Sequence, residues 1–455
     1  MTSPSIAWLR QDLRLADQAA FAAAAADGPV VPLYVLDDET PGQWAIGGAQ
    51  RWWLHHSLAA LARALEEVGA PLVLRRGNAV EEVARLAGEV GARRVHALTH
   101  YEPWWQEAEQ ALAERVGLEL HDGLMLASPR LIRTQQGGRY RIFTPFWRAL
   151  SEQMPPAPPL PAPELTGLGK TVPSDALDDW RLLPTTPNWA TGFDEWTPGE
   201  AGARARVDDL AERIASYDHA RNLPSQDGSS RLSPHLHFGE VSPATVWHAA
   251  QAAEGDAALY LREIGWRDFT ANMIDQFPRL GEANGRDAFD RMAWRSGEEA
   301  DRDFAAWTRG ETGYPIVDAG MRELWATGWM HNRVRMLAAS FLVKHLLIDW
   351  RRGAQWFWDT LIDADYGNNS VNWQWIAGTG VDSNPFGRIM APLSQSVKFD
   401  AADYIRRWVP ELAQVGDGEI HDPHAAGQRG ARYPAPLIGH REARARALEA
   451  ASAAR

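Results

Sequence analysis

Side chains able to do chemistry are concentrated between Asp363 and Gly380. The segment reads DADYGNNSVNWQWIAGTG, in which two carboxylates are followed by a pair of asparagines, a Trp-Gln-Trp run and a glycine-rich stretch. A plain amphipathic helix or strand does not require this mixture. Carboxylates can fix a neighbouring charge, amides can bond ring heteroatoms, and indoles can stack on a ring or exchange electrons. The segment therefore predicts one wall of a site for a heteroaromatic ligand.

Two helical patterns upstream carry polar stripes of their own. In YLREIGWRDFTANMI, the spacing of one helix face is shared by Glu263, Trp266, Arg267 and Thr270. In HNRVRMLAASFLVKHLL, the corresponding stripe beside a broad apolar face comprises Asn332, Arg335, Met336 and Ala339. A solvated face with a chance methionine would give the same pattern. Two such helices together with the aspartate-rich segment favour a shared, partly polar site.

The arginine of the second stripe needs a charged partner, because an unpaired buried charge is costly. Arg335 is expected to pair with either Asp363 or Asp365. Such a pair would present a fixed charge to the ring of the ligand.

A further segment, SSRLSPHLHFGEVSP at positions 229–243, combines hydroxyls, turn backbone and Arg231, which suits a diphosphate. A helix cap at Ser242 explains only its downstream end. His235 and His237 lie two residues apart without a third ligand, so we expect no metal site.

The elements that must position these side chains fall into two groups. Five short apolar runs near the N-terminus alternate with helical patterns and predict a five-stranded parallel sheet in an α/β domain. The runs are SIAWLR, VVPLYVLD, PLVLRRG, RVHALTH and LELHDG. No G-x-G-x-x-G turn follows the first run, so we place no dinucleotide there. We expect the α/β domain at 1–130, a proline-rich linker at 131–200 and a large all-α domain at 201–455.

The composition is that of an ordinary globular chain of 455 residues, with a net charge of −13. Nucleic acid would therefore have to bind at a local basic patch. The absence of cysteine excludes disulfides, thiolate metal sites and cysteine nucleophiles. We find no signal-peptide pattern and no apolar run of ~18 residues, so we expect a cytoplasmic protein that makes no use of a membrane.

Five motifs, in this order, resemble those of the DNA photolyase/cryptochrome family: SSRLSPHLHFGEVSP, EIGWRDF, TGYPIVDAGMREL, TGWMHNRVRM and DADYGNNSVNWQW. In detail the chain is most similar to class I-type cyclobutane pyrimidine dimer photolyases. The resemblance implies an antenna domain, a helical domain that holds FAD in a U shape, and light-driven electron transfer from reduced FAD to a flipped-out dimer. It also implies UV-damaged DNA as the partner of a monomeric enzyme.

The resemblance also implies which residues bind the cofactor. The FAD set is Tyr217, Ser229, Ser230, Arg231, Leu232, Ser233, Tyr260, Arg335, Asp363, Asp365 and Asn369. In this set the serine-rich turn would hold the phosphates and the Arg335–Asp363 pair would lie beside the isoalloxazine. Asn369 would face flavin N5 and act in catalysis.

Three further roles follow from the same motifs. Glu263 would hydrogen-bond the dimer and Met336 would lie beside it, both as catalytic residues. The residues expected to contact DNA or the lesion are Trp266, Arg267, Asn332, Arg333, Trp375 and Arg388. Trp266 and Trp375 would be the walls of the lesion pocket, and Arg333 and Arg388 would contact phosphates.

A photoreduction chain would run through Trp373, Trp350 and Trp294. The stretch after Trp294 is longer than the family spacing, so its outer position is open, and a nearby helix carrying Trp356 and Trp358 offers another exit. The antenna chromophore is open between methenyltetrahydrofolate, a deazaflavin, a second flavin and none, because the aromatic runs RWWLHHSL and THYEPWW also suit helix packing.

Other functions explain parts of the pattern. A cryptochrome photoreceptor often replaces the asparagine that faces N5, whereas this chain has Asn369. A (6-4) photoproduct photolyase uses a histidine where this chain has Met336. A flavin electron-transfer protein without a DNA substrate would have no use for the lesion-pocket set.

Overall fold

The computed structural model describes residues 3–383, 386–427 and 433–454. Within these ranges five strands form one sheet in the order β3-β2-β1-β4-β5. The strands are β1 (Ser5–Leu9), β2 (Val30–Leu36), β3 (Val73–Arg76), β4 (Arg94–Leu98) and β5 (Gly117–His121). Every pairing is parallel, which confirms the predicted sheet.

Helices cover both faces of the sheet: α1 (Ala19–Asp27), α2 (Gly48–Glu67), α3 (Ala79–Val90) and α4 (Pro103–Ala113). Because successive strand residues point to opposite faces, Ala7 and Leu9 pack with α1 and α2, whereas Ile6 and Trp8 pack with α3 and α4. Strand β5 lies at the edge of the sheet, and none of its residues is fully buried. Its side chains therefore remain accessible to solvent.

Beyond the sheet, the regular elements of the described chain are all helical, which confirms the predicted all-α unit. Its helices are α5 (Phe143–Ser151), α6 (Glu200–Arg213), α7 (Tyr217–Ala220), α8 (Ser233–His237), α9 (Pro243–Ala252), α10 (Ala258–Gln276), α11 (Glu298–Arg309), α12 (Pro315–Thr327), α13 (Asn332–Ser340), α14 (Trp350–Thr360), α15 (Tyr366–Ala377), α16 (Pro392–Lys398), α17 (Ala402–Trp408) and α18 (His440–Ala453).

One predicted helix is broken in the structure. The helical period of HNRVRMLAASFLVKHLL predicts a single helix, but α13 ends at Ser340 and a π-helical turn follows at Phe341–His345. Leu347 then adopts a positive φ of 53°. Asp349 caps α14 by accepting a hydrogen bond from the backbone N–H of Arg351. An aspartate that can cap a new helix competes with continuation of the old one, which the apolar period does not register.

Helix α5 lies inside the segment 131–200, which we interpreted as a linker. Its Phe143, Phe146 and Leu150 are buried in the same core as residues of α9 and α10. Helix α5 therefore packs on the helical unit, and the domain boundaries stay a prediction. In the described part of the chain, no helix has both the length and the apolar character that crossing a membrane requires.

Candidate functional site

Helix α15 brings the separate sequence patterns together, because it packs against α10, α13 and α14. It begins after Asp365, whose side chain caps the helix by accepting from the backbone N–H of Asn368 at 2.7 Å. An N-cap aspartate supplies the acceptor that the first turn of a helix lacks. The cap fixes the start of the helix two residues after Asp363.

Arg335 and Asp363 form a two-pronged ion pair. Nη1 and Nη2 of the arginine donate to the two carboxylate oxygens at 3.0 and 2.9 Å, and its Nε donates to the Met330 carbonyl at 2.7 Å. The aspartate side chain is 3% exposed and that of the arginine 23%. The structure thus decides between the two aspartates, since Asp365 is engaged as the cap.

Asn369 lies one turn after the cap and is buried. Its Nδ2 donates to the carbonyl of Ala354 on α14 at 3.0 Å. This bond fixes the plane of the amide, so its Oδ1 is the end available to a ligand.

The serine-rich turn leads into α8. Arg231 adopts a positive φ of 51° in this turn, and its guanidinium lies 4.8 Å from the centre of the Trp329 ring. It also pairs with Glu195 at 3.3 Å and with Asp227 at 3.4 Å. The neighbouring set, which comprises Ser229, Ser230, Leu232 and Ser233, gives the same turn its hydroxyls and backbone N–H groups.

Tyr217 and Tyr260 meet edge to face, with ring centres 5.0 Å apart. Burial raises the pKa of Tyr217 to about 12 and raises that of Tyr260 as well. Burial also raises the pKa of Glu323 to about 7, where the carboxyl accepts from the Tyr404 hydroxyl at 2.6 Å. These groups offer hydrogen bonds with little fixed charge, in contrast to the Arg335–Asp363 pair.

The two histidines after the turn have separate partners. His235 Nδ1 lies 2.5 Å from a carboxylate oxygen of Glu240, and His237 Nε2 lies 3.1 Å from Oε1 of Gln50. Burial lowers the pKa of His237, which favours its neutral form. Each ring is thus held in a different hydrogen-bond network.

The polar residues along one face of α10 have separate partners in the structure. Glu263 accepts from Arg221 at 2.6 Å, and its side chain is 32% exposed. Trp266 stacks on Phe143 of α5, with ring centres 3.6 Å apart and planes 8° from parallel.

Arg267 instead donates to the carbonyls of Leu124 and Leu236. An ion pair between Glu263 and Arg267, one turn apart on α10, is therefore not formed, because backbone carbonyls occupy this arginine.

Arg221 is a residue that sequence reasoning missed. It follows α7 and its guanidinium lies 5.3 Å from the ring centre of Tyr217. The i, i+4 spacing from Tyr217 is the signal that could have found it.

Helix α13 places Asn332 in solvent and leaves Met336 partly buried. Arg333 donates through Nε to Oδ1 of Asn222 at 2.9 Å. Arg388 is exposed, and its guanidinium lies 5.8 Å from the ring centre of the partly buried Trp375. This arginine and this indole therefore share one surface.

Trp373 and Trp350 are buried in the same core. Gly353 makes room for the first of these rings, because a Cβ at this glycine would lie 2.2 Å from it. Trp307 contacts Trp373 edge to face at 6.4 Å, and Phe357 does so at 5.0 Å. Sequence spacing did not single out Trp307 as a neighbour of this chain.

Trp294 packs partly buried against this core and lies 6.5 Å from the ring of Phe386. The alternative end of the electron-transfer chain lies at a different surface. Trp356 stacks on Trp325 at 6.0 Å, and Trp325 is half exposed. Trp358 instead meets Trp44 edge to face at 5.3 Å.

A second cleft opens at the carboxyl ends of β1 and β2, where parallel sheets commonly bind ligands. Its aromatic walls are Trp44, Trp104, Trp105, Phe238 and Trp358. The run THYEPWW thus lines a cleft. The run RWWLHHSL does not, because Trp52 and Trp53 are buried in the core beneath α2.

Comparison with known proteins decides the family. Residues 5–164 match the model of DNA photolyase, and residues 260–453 match the FAD binding domain of DNA photolyase. A deoxyribodipyrimidine photo-lyase of Agrobacterium fabrum is 46% identical over 99% of this chain and 98% of its own length. The chain belongs to the DNA photolyase family. The family predicted from the motifs is thereby confirmed.

Solved photolyases share the whole architecture. A bacterial class III photolyase from Agrobacterium tumefaciens is 45% identical, covers 100% of this chain and 98% of its own, and superposes with a TM-score of 0.94. An archaeal photolyase from Sulfolobus tokodaii, described with two FAD molecules, is 27% identical over 99% and 100% of the two chains, with a TM-score of 0.84. The class I-type subdivision stays a prediction.

Proposed function

We propose that this protein splits cyclobutane pyrimidine dimers in DNA under blue light, with reduced FAD as cofactor. The observation that carries the proposal is the Arg335–Asp363 pair, which joins α13 to the residues before α15, the helix that also carries the fixed amide of Asn369. The photo-lyase from Agrobacterium fabrum, which is 46% identical, supports the same activity. We further propose that the protein acts as a monomer in the cytoplasm.

The chemistry of the donor set fits FAD. The Arg231 turn offers hydroxyls, backbone N–H groups and a cation to a diphosphate. Asp365 is the expected partner of the flavin or ribityl region, and Oδ1 of Asn369 can accept from a ring N–H. When bound, reduced FAD supplies the electron that light drives to the dimer. Arg335, paired with Asp363, would keep a fixed positive group beside the negatively charged ring of the reduced flavin.

Lesion capture needs a base to leave the stack, which costs a few kcal/mol and less for a damaged base. Trp266 and Trp375 can offset this cost by stacking, which contributes about 1–3 kcal/mol per base. Met336 would fill the space beside the lesion, and Asn332 is exposed at its rim. Arg267 is held by backbone carbonyls, so we assign it to fixing α10 beneath the pocket.

Glu263 tests the active-site assignment. We expect Glu263→Ala to retain FAD and most of its binding to dimer-containing DNA, but to repair with a lower quantum yield. A lost hydrogen bond to the dimer would leave its added charge less stabilised, so that back electron transfer competes better with ring splitting. The measurement is dimer loss per absorbed photon with chemically reduced protein.

Two variants separate this role from the ion pair with Arg221. Glu263→Gln keeps a group that can bond a base and should recover part of the yield. Arg221→Ala removes the ion-pair partner but keeps the Glu263 carboxyl, and should change the yield less than Glu263→Ala does. A wild-type yield in Glu263→Ala would remove this helix from the active site.

Arg388 is the test of DNA binding. Because each neutralised phosphate adds about 0.9 to the slope of log affinity against log salt, Arg388→Ala should make that slope shallower by about one. Arg302→Ala is the matched control, since this arginine is 67% exposed on α11. Fluorescence anisotropy of a dimer-containing duplex from low to high salt measures both slopes. Equal slopes in the two variants would place the phosphate contact elsewhere.

Trp294 tests the outer end of the photoreduction chain. Trp294→Phe should slow light-driven reduction of the oxidised protein, because its indole is the member of the chain nearest to solvent. Trp356→Phe is the comparison, since this ring stacks on the exposed Trp325. Absorbance under blue light with an external reductant follows both. If only Trp356→Phe is slow, the exit runs through that ring.

The aromatic cleft at the strand ends suits a planar antenna chromophore between Trp104 and Trp358. The absorption spectrum of purified protein, before and after denaturation, tests both cofactors. We expect one FAD per chain, and a second chromophore would add its own band. A preparation without flavin would overturn the proposed function.

A further inference from the structure

An unassigned cluster of ligand-type side chains lies at the open edge of the sheet. His96 on β4 is paired in register with Glu119 on β5, and His121 follows two residues later on β5. Residues in register, and residues two apart on a strand, point to the same face. The parallel pairing of β4 with β5 therefore brings two imidazoles and one carboxylate together.

The spacing of this cluster suits a metal ion. His96 Nδ1 lies 3.0 Å from His121 Nε2 and 3.8 Å from Oε2 of Glu119. All three candidate ligand atoms lie within 4.8 Å of one another. Bonds of about 2.0–2.1 Å in a tetrahedral zinc site put neighbouring ligand atoms roughly 3.3–3.4 Å apart. Small side-chain movements would bring the three atoms to that geometry.

A second set of contacts orients the ligands. His96 is 1% exposed, and its Nε2 lies 3.0 Å from Oδ2 of Asp27 at the end of α1. If this nitrogen donates to the carboxylate, Nδ1 keeps its lone pair for the cluster. Carboxylates that fix a metal-binding histidine in this way are the rule around metal ligands. Arg94 bonds Asp27 at 2.9 Å and lies 3.3 Å from Oε1 of Glu119, which leaves Oε2 facing the histidines.

We propose that His96, His121 and Glu119 bind a divalent transition-metal ion of the Zn²⁺ class, with a fourth position open to water. Two imidazoles and one carboxylate are ligands that Zn²⁺ accepts with such an open position. The ion would tie the edge strand β5 to β4 and, through His96 and Asp27, to α1. This site departs from our expectation that the chain holds no metal. That expectation rested on His235 and His237, and strand pairing now brings other histidines together.

The simpler explanation is a chain of hydrogen bonds from His121 through His96 to Asp27, without an ion. Titration of the full-length protein with Co²⁺ and Zn²⁺ in a non-chelating buffer distinguishes the two. We expect one saturable site per chain. Co²⁺ bound there should give the visible absorption bands of a low-symmetry site, and Zn²⁺ should displace the Co²⁺ and abolish these bands. Zn²⁺ should also raise the melting temperature, because it binds the folded sheet.

Variants assign the site to its residues. His121→Gln and Glu119→Gln should each lose the bands and the thermal shift, and Asp27→Asn should weaken binding about 10- to 100-fold. His424→Gln removes an exposed histidine of the helical unit and should behave as the wild type. Circular dichroism and FAD content confirm that each variant is folded. Absence of a saturable site in the wild type, or equal affinity in His121→Gln, would overturn the proposal in favour of the hydrogen-bond chain.

Discussion

Replacing Trp373 with phenylalanine is expected to abolish light-driven reduction of the oxidised protein while repair by chemically reduced protein continues. Trp373 is 3% exposed and lies in the core among Phe357, Trp307 and Gly353. A benzene ring is much harder to oxidise than an indole, so the first electron transfer would fail. Repair uses an electron that is already on the cofactor and does not require this residue.

The measurement is absorbance under blue light with an external reductant, followed by a repair assay after reduction with dithionite. Trp247→Phe is the matched control, because Trp247 is equally buried but lies in the core of α5, α9 and α10. Both variants lose part of a buried ring, which costs about 0.5–3 kcal/mol of stability and should leave the fold intact. Normal photoreduction in Trp373→Phe would show that another ring, such as Trp307, is the first donor.

Replacing Asp363 with alanine is expected to deplete the purified protein of FAD. The change leaves the Arg335 guanidinium, whose side chain is only 23% exposed, without its charged partner. Loss of a charged hydrogen-bond partner costs about 1.5–3 kcal/mol. If that cost falls on the bound state, affinity for FAD drops roughly 10- to 150-fold. Flavin released on denaturation, and titration of FAD into stripped protein, measure the loss.

Asp403→Ala provides the control for removing an ion pair. This aspartate bonds Arg406 at 2.7 Å but is 81% exposed, and pairs of this kind are worth about 0–1 kcal/mol. It should retain FAD as the wild type does. Adding Arg335→Ala to Asp363→Ala tests the pair further, since removing both charges should cost less than the sum of the two single changes. Full FAD occupancy in Asp363→Ala would separate the pair from cofactor binding.

The sequence by itself determined much of the architecture. Alternation of apolar runs with helical patterns predicted a parallel five-stranded sheet, and the structure has that sheet. The motif order predicted the family, because five ordered motifs constrain a chain far more than one. These features are local in sequence, so period and composition are sufficient to read them.

Helix boundaries were less predictable, because capping competes with apolar periodicity. The break after Phe341–His345 and the start of α14 depend on Asp349 as a cap. Asp365 acts in the same way at α15. Its engagement in the first turn is what leaves Asp363 as the partner of Arg335, a choice that spacing alone left open.

Only the tertiary structure decided which side chains meet across the chain. Arg335 and Asp363 are 28 residues apart, Arg221 and Glu263 are 42 apart, and His96 and His121 are 25 apart. A residue pattern identifies the face of its own helix or strand, but the partner of that face is set by how the elements pack. For the two histidines the deciding step is the register of β4 against β5, because a shift of one residue would turn one of them to the opposite face.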